Sequence, residues 1–374
     1  MGFLLLTLAY PALGDPRGQV SLGLQFDGWS ANTVEPFKGS ETFVPFSFSY
    51  GVDPSWWLSG QTSFASGSYT DSIAGTETQN LSNLTASTLT SDYYFNAFGV
   101  SNMAEVSLTL PTGDPSWETK QVASNIPAIF INSRYQDEGW GASVLYALSF
   151  SAPSSVEYGV SAGYSYSGAY DPYYGGVPGN QLKMGDSIFV ALNRIESLPQ
   201  SQSRVFRLCV MAFLPSQING QTNFELGPNG SASYSFNDPS GFSWSVGTQV
   251  YTLSDRYYLN SQGSMVYGAE PFGSSGQRFY FTPALALGNL TLAGNLQFVR
   301  ANGYPISDYS GLYNGGGVVV GLAPSYAWNL DAVSALTFSG GYNFIAAQNA
   351  STNFTQDVDY QYWTFGASYA VKIY

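Results

Sequence analysis

Histidine is absent from this chain, and cysteine occurs once, at Cys209. Without histidine the chain lacks the commonest general base and the partner that most hydrolytic triads and dyads need. Haem attachment through a Cys-x-x-Cys-His run goes with it, and a single cysteine excludes both an intramolecular disulfide and a multi-cysteine metal site. Charge is scarce as well: only 10% of the 374 residues are charged, against about 25% in an ordinary soluble domain. What charge there is leans acidic, at a net −13. That argues against nucleic-acid binding and against docking on anionic lipid surfaces. Beyond the N-terminus no long apolar run occurs, so the chain does not cross a membrane as helices. The expectation is a protein without enzymatic activity, cofactor or metal.

Aromatic residues, by contrast, make up 16% of the chain, and glycine occurs 41 times. The stretch from Glu138 to Tyr170 shows how they are arranged. Trp140, Ala142, Val144, Tyr146, Leu148 and Phe150 alternate with Gly141, Ser143, Leu145, Ala147 and Ser149. After Ala152-Pro153-Ser154 the pattern returns: Val156, Tyr158, Val160, Ala162, Tyr164 and Tyr166 alternate with small or polar residues. A two-residue period means strand, with successive side chains on opposite faces. Strands of soluble sandwiches are typically about 5–6 residues. These run to about a dozen, near the length a tilted strand needs to cross a bilayer.

The same pattern recurs along the chain. Val20 to Phe26, Val44 to Tyr50, Trp56 to Tyr69, Ala86 to Val100 and Ala104 to Leu110 read as strands one to five, with Thr70 to Thr85 a polar loop and Ser101-Asn102 a turn. Further strands centre on Val190, Val210, Tyr234, Val246, Phe281, Leu292, Val320, Phe338 and the C-terminal Tyr360–Tyr374 run. Tyr170–Lys183, Ser254–Gly276 and Arg300–Gly315 read as long loops. Short turns and long connections therefore alternate, as in outer-membrane barrels. The fold expected is all-β, a transmembrane antiparallel up-and-down β-barrel of about 16 strands, with about 14 the alternative.

Phe3 to Gly14 is an apolar run ending in small residues, with Ala12 and Gly14 before a cleavage point near Asp15. Residues 1–14 are thus expected to be a signal peptide and residues 15–374 the barrel, in a bacterial outer membrane. Strand one would start within a few residues of that cleavage point, leaving no plug-like N-terminal domain.

The face opposite the apolar one is mostly Ser, Gly, Ala, Thr, Asn and Gln. Small residues do not fill a barrel this wide, so a water-filled lumen is expected. Asp27, Glu105, Glu157 and Arg207 fall on inward registers and are the pore candidates. Inward charges of both signs would set a transverse field that orients solutes. The Thr112–Asp137 connection holds the apolar run Ile126-Pro-Ala-Ile-Phe-Ile131, which needs burial. As a constriction loop it would present Ile126, Ile129, Phe130 and Ile131, flanked by Trp117, Glu118, Lys120 and Arg134; the competing reading is a strand extension above the membrane. Trp140, Tyr166, Trp244 and Trp328 read as interfacial anchors.

Two stretches carry a family resemblance: Leu108-Thr-Leu-Pro-Thr-Gly-Asp114 at a strand end, and Phe48-Ser-Tyr-Gly-Val-Asp-Pro-Ser-Trp-Trp-Leu58 across a turn. Over residues 40–170 the chain resembles the outer-membrane channels grouped as transporters of the meta-pathway of phenol degradation, which are allied to the fatty-acid-transporter barrels. The resemblance implies passive uptake of small, often apolar or aromatic solutes. The function expected is therefore an outer-membrane channel for diffusion or uptake of small solutes. Two alternatives stay open: a barrel sheathing a periplasmic partner such as a multihaem cytochrome, as an electron-transfer conduit, and a surface receptor or adhesin. Expected partners are membrane lipid, lipopolysaccharide and a small-molecule solute, with no nucleic acid; a homo-oligomer or a periplasmic partner also stays open.

Overall fold

The computed structural model describes residues 17–32, 38–71, 77–113, 139–152, 155–170, 182–183, 185–214, 216–218, 221–224, 229–252, 257–259, 265–267, 275–307, 311–347 and 358–373. The alternating stretches form the strands β1 (Gly18–Asn32), β2 (Lys38–Asp53), β3 (Trp56–Asp71), β4 (Glu77–Leu84), β5 (Ser87–Ala97) and β6 (Val100–Leu110). They continue as β7 (Gly141–Ala152), β8 (Val156–Ser167), β9 (Ser187–Ser197), β10 (Ser203–Phe213), β11 (Asn229–Asn237) and β12 (Phe242–Thr252). The last are β13 (Ser275–Leu287), β14 (Leu290–Ser307), β15 (Gly311–Asn329), β16 (Ser334–Ala347) and β17 (Val358–Ile373).

Neighbours pair antiparallel, and β17 returns to β1 from Gly18↔Ile373 to Asn32↔Asp359. That pairing closes the sheet and removes its edges. Both β4 and β5 pair with β3, one above the other, so they share one position in the wall. Seventeen strands thus form a 16-stave barrel.

Why each strand faces as it does follows from burial of the pleat. Leu22, Leu24 and Phe26 on β1, Val144, Tyr146 and Phe150 on β7, and Val320 and Leu322 on β15 are all exposed. A large exposed apolar band is a liability in water and the contact surface in lipid. Trp140, Tyr166 and Trp328 stand on this outer face. Trp244 joins them against Tyr234, Phe236 and Phe281.

The short turns gather at one end. Phe98 and Gly99 both have positive φ, 54° and 76°, which matches the twist of a two-residue hairpin. Asp53 accepts the Ser55 and Trp56 N–H groups, and Asp331 accepts those of Val333 and Ser334. Local carboxylate bonds of this kind replace ladder bonds the turn gives up.

Several boundaries differ from the sequence reading. The turn sits at Phe98-Gly99, and Ser101 and Asn102 belong to β6, because Gly99 supplies the backbone conformation the turn requires. The polar stretch Thr70–Thr85 is largely strand, in β3 and β4. The region 300–315 is also mostly strand, with register shifts between Ala301 and Tyr304 and between Pro305 and Ser307. These segments continue the ladder at the long-loop end, where sequence alternation is no longer imposed by lipid. Beyond the ends of β8 to β11, Ala169–Tyr170, Leu182–Lys183, Ser216–Ile218 and Gln221–Phe224 form a small four-stranded sheet. Tyr257–Leu259 pairs with Met265–Tyr267 in a two-stranded ribbon.

Candidate functional site

The inner wall is the candidate site, and cross-strand register assigns its residues. Starting from the outward-facing Leu22↔Phe46 pair, the opposite parity on β1 and β2 points inward, including Ser21↔Ser47 and Asp27↔Glu41. Carrying that parity round the barrel gives Asp92↔Glu105 on β5 and β6. It gives Glu157 on β8 opposite Ile195, Arg207 on β10 between Asn193 and Ser233, and Arg278 on β13 beside Val299. The wall between them is small and polar, as in Ser231, Ser233 and Ser235 facing Gln249, Gly247 and Ser245.

Two carboxylate pairs face inward across strand seams. Asp27 and Glu41 are both buried, and the Gln25 amide donates to both Asp27 oxygens at 2.9 and 2.8 Å. Asp92 and Glu105 form the second pair, nearer the short-turn end. Directly opposed like charges destabilise a sheet, so each pair is a feature the fold tolerates rather than one that holds it together. Beside the second pair lies a recess of about 400 Å³ whose lining includes Gln19, Ser47, Gln61, Thr90, Asp92 and Glu105.

At the long-loop end the inner face changes character. Trp29, Ala31, Ala65, Val319, Ile345 and Tyr360 form a buried apolar cluster, with Phe43 and Tyr362 packed against it. All lie on the inward parity of β1, β2, β3, β15, β16 and β17. The mostly small inner face expected from sequence gives way here: one sector of the mouth is aromatic and aliphatic. Parity alone reads an inward tryptophan as polar-face noise, which is why it was missed. Below this cluster Asn343 reaches past Gly321 on β15, and the Asn295 amide donates to it at 2.9 Å. Gln297 in turn donates to Asn295 at 2.9 Å.

A polar knot marks the rim above β8 and β9. Lys183 lies 3.2 Å from Asp186 and 4.5 Å from the centre of the Tyr166 ring. Burial pushes the Asp186 carboxyl up, but the Tyr164 hydroxyl, the Ser167 N–H and Lys183 outweigh it and hold it below the usual carboxylate range.

No family model matches the chain, and no curated relative matches it. Its structural neighbours are outer-membrane channels. An outer membrane channel from Pseudomonas putida F1 is 14% identical, over 80% of this chain and 100% of that one, with a TM-score of 0.42. OccAB4 from Acinetobacter baumannii is 8% identical over 96% and 99%, at 0.49. The toluene transporter TodX of Pseudomonas putida is 12% identical over 96% and 90%, at 0.44. At these values the likeness goes no further than the barrel.

Of the residues singled out in sequence, Asp27, Glu105, Glu157 and Arg207 stand on the inward register. They are not gathered into one cluster: Asp27 and Glu105 are on the β1–β6 side, while Arg207 is on β10. Trp117, Glu118, Lys120, Ile126, Ile129, Phe130, Ile131 and Arg134 lie outside the described residues, as do residues 1–14. Sequence reasoning missed Glu41, Asp92 and Arg278. The signal for Asp92 was present, since it has the parity opposite to the apolar Tyr93, Phe95 and Ala97 of the same run. Glu41 lies before the first clear alternation of β2.

Proposed function

We propose that this chain is a channel of a bacterial outer membrane, through which small solutes diffuse. The observation that carries the reading is the closed 16-stave wall with an apolar outer face and a largely small, polar inner face. A wall of this circumference is too wide for Ser, Gly and Thr side chains to fill. Its outer face sits in lipid and lipopolysaccharide. Asp27, Glu105, Glu157 and Arg207 are pore-wall charges that bias which ions and polar solutes enter. The finer reading, uptake of apolar or aromatic solutes as in the phenol-pathway transporters, draws support from the Trp29, Phe43, Tyr360 and Tyr362 sector of the mouth.

Single-channel recording of the refolded barrel in a planar bilayer tests this. Steady openings with a defined unit conductance are expected. A correctly folded barrel that carries no current under any salt or voltage would overturn the channel reading, leaving a wall built to enclose a partner.

A further inference from the structure

We propose that the outer face of β9 and β10, near the short turns, binds the phosphodiester of a phospholipid headgroup, with Arg204 and Arg194 as the donors. The inference deepens the membrane partner of the proposed function: it rests on the barrel spanning a bilayer, not on the lumen conducting. Basic side chains are rare in this chain, 12 in 374 residues, so two on neighbouring strands of the lipid face are a concentration of charge. Parity places them there. Ile188, Val190 and Leu192 on β9 and Leu208 and Val210 on β10 are exposed on the outer face. Arg194 and Glu196, and Arg204 and Phe206, continue the same parity towards the turn at Pro199–Ser201. Register sets their neighbours. Arg194 lies between Tyr158 and Phe206; two residues nearer the turn, Arg204 lies between Glu196 and Phe236. The two arginines are thus diagonal neighbours across one seam, on the order of 7–8 Å apart at the backbone.

Aromatic rings fix the depth. Tyr158 stacks on Phe150 with ring centres 5.5 Å apart, and the Trp244 ring lies 6.2 Å from that of Phe236. Such rings near strand ends mark the headgroup level of a bilayer, and the short-turn end of an outer-membrane barrel faces the periplasm. The arginines therefore stand at the level of the phosphates of the phospholipid leaflet. Their charge balance asks for an anion. Glu196 Oε2 is 3.4 Å from Arg194 Nη2, which neutralises one of the two. Arg204 is exposed and, among the described residues, has no hydrogen-bond or ion-pair partner. The trio carries one net positive charge, which matches the single negative charge of a phosphodiester. A guanidinium presents its N–H donors in a fork that fits two phosphate oxygens. Arg194, whose side chain is 40% exposed, has donors beyond the one turned to Glu196. Away from the turn, the exposed Leu192, Leu208 and Val210 give acyl chains a surface to lie on. A lipid fits both parts of this face, whereas a free anion uses only the arginines.

The test is native mass spectrometry of the refolded full-length barrel in detergent micelles, titrated with phosphatidylglycerol, with diacylglycerol and inorganic phosphate as comparison probes. Heat-modifiable gel mobility checks the folding of each variant. Saturable binding of one phosphatidylglycerol is expected, weakened about fivefold in Arg204→Gln and in Arg194→Gln, the factor that one cation beside an anionic headgroup is worth. Arg204→Lys, which keeps the charge without the fork, should fall between. Arg207→Gln, which removes the same charge from the lumen side, should bind the lipid as the parent does. Equal retention of diacylglycerol, unchanged binding in Arg204→Gln, or an equal loss in Arg207→Gln overturns the proposal. Displacement of the lipid by inorganic phosphate at equal concentration also overturns it, by reassigning the arginines to a free anion. Should Arg204→Gln not fold, Arg194→Gln and Arg204→Lys carry the comparison. Flotation with phosphatidylcholine vesicles separates this site from the membrane reading. A folded barrel that does not float loses both; one that floats without selective lipid binding loses only the site.

Discussion

At the scale of single residues, the inner wall is shaped by where side chains are missing as much as by where they stand. Asn343 reaches Asn295 across the intervening strand because Gly321 leaves its path open; a Cβ there would collide with the Asn343 side-chain oxygen. Gly321→Ala should therefore break the Asn343–Asn295 bond and destabilise the barrel by about 1–3 kcal/mol. The measurement is the urea midpoint in micelles. Adding Asn343→Ala removes the group that collides, so the double variant should lose less than the sum of the two single changes. A strictly additive result would mean that the pair is not coupled through this contact. Trp29 depends on Gly39 in the same way, since its ring lies where a Cβ at 39 would project. Gly39→Val should expel Trp29 from the mouth cluster, seen as a red-shifted tryptophan emission and an unfolding free energy lower by about 1–3 kcal/mol.

At the scale of elements, the hairpin turns carry their own pH response. Asp331 sits outside the wall, and the N–H groups of Val333 and Ser334 hold its carboxyl below the usual range. Asp238 is held down similarly by Ser240 and by the Gln202 amide. A folded value below the unfolded one, about 3.9 for aspartate, means the contribution is complete above the unfolded value and is lost as pH falls through the folded value. The amide proton resonances of Val333 and Ser334 should therefore hold steady above about pH 4 and titrate below it. Asp331→Asn should abolish that titration. Titration of those amides around pH 6 instead would contradict the assignment. Elements also show what could be read from the sequence. The β7–β8 hairpin was plain because lipid on one face and lumen on the other force alternation along its whole length. The β4 strand was not: Glu77-Thr-Gln-Asn-Leu-Ser-Asn-Leu84 is mostly polar on both parities, so its sequence holds no apolar alternation to read. The upper parts of β14 and β15 are similar, where Gly303, Pro305 and Gly315 to Gly317 interrupt any alternation while the backbone ladder continues. For the site, parity exposed Asp27, Glu105, Glu157 and Arg207 singly. Their grouping depended on strand neighbours, which parity does not contain: Asp92 meets Glu105 only through register.

At the scale of the whole molecule, most inward acids and the inward arginines stand on different sides, with Lys372 on β17 beside the acidic strands. Asp27, Glu41, Asp92 and Glu105 lie on β1, β2, β5 and β6, whereas Arg207 and Arg278 lie on β10 and β13, across the lumen. Adding Glu157, the named inward acids outnumber the arginines, so the pore should prefer cations. Under a salt gradient, the double change Glu41→Gln with Glu105→Gln should move the reversal potential toward anion permeation. Arg207→Gln with Arg278→Gln should move it the opposite way. Both shifts should fade with concentration, because the screening length falls from about 10 Å at 0.1 M to about 3 Å at 1 M salt. The opposite signs are the discriminating feature. If the charges merely solvate the wall, neither pair of changes moves the potential. If the permeation path instead runs along one side of the lumen, only the pair on that side does.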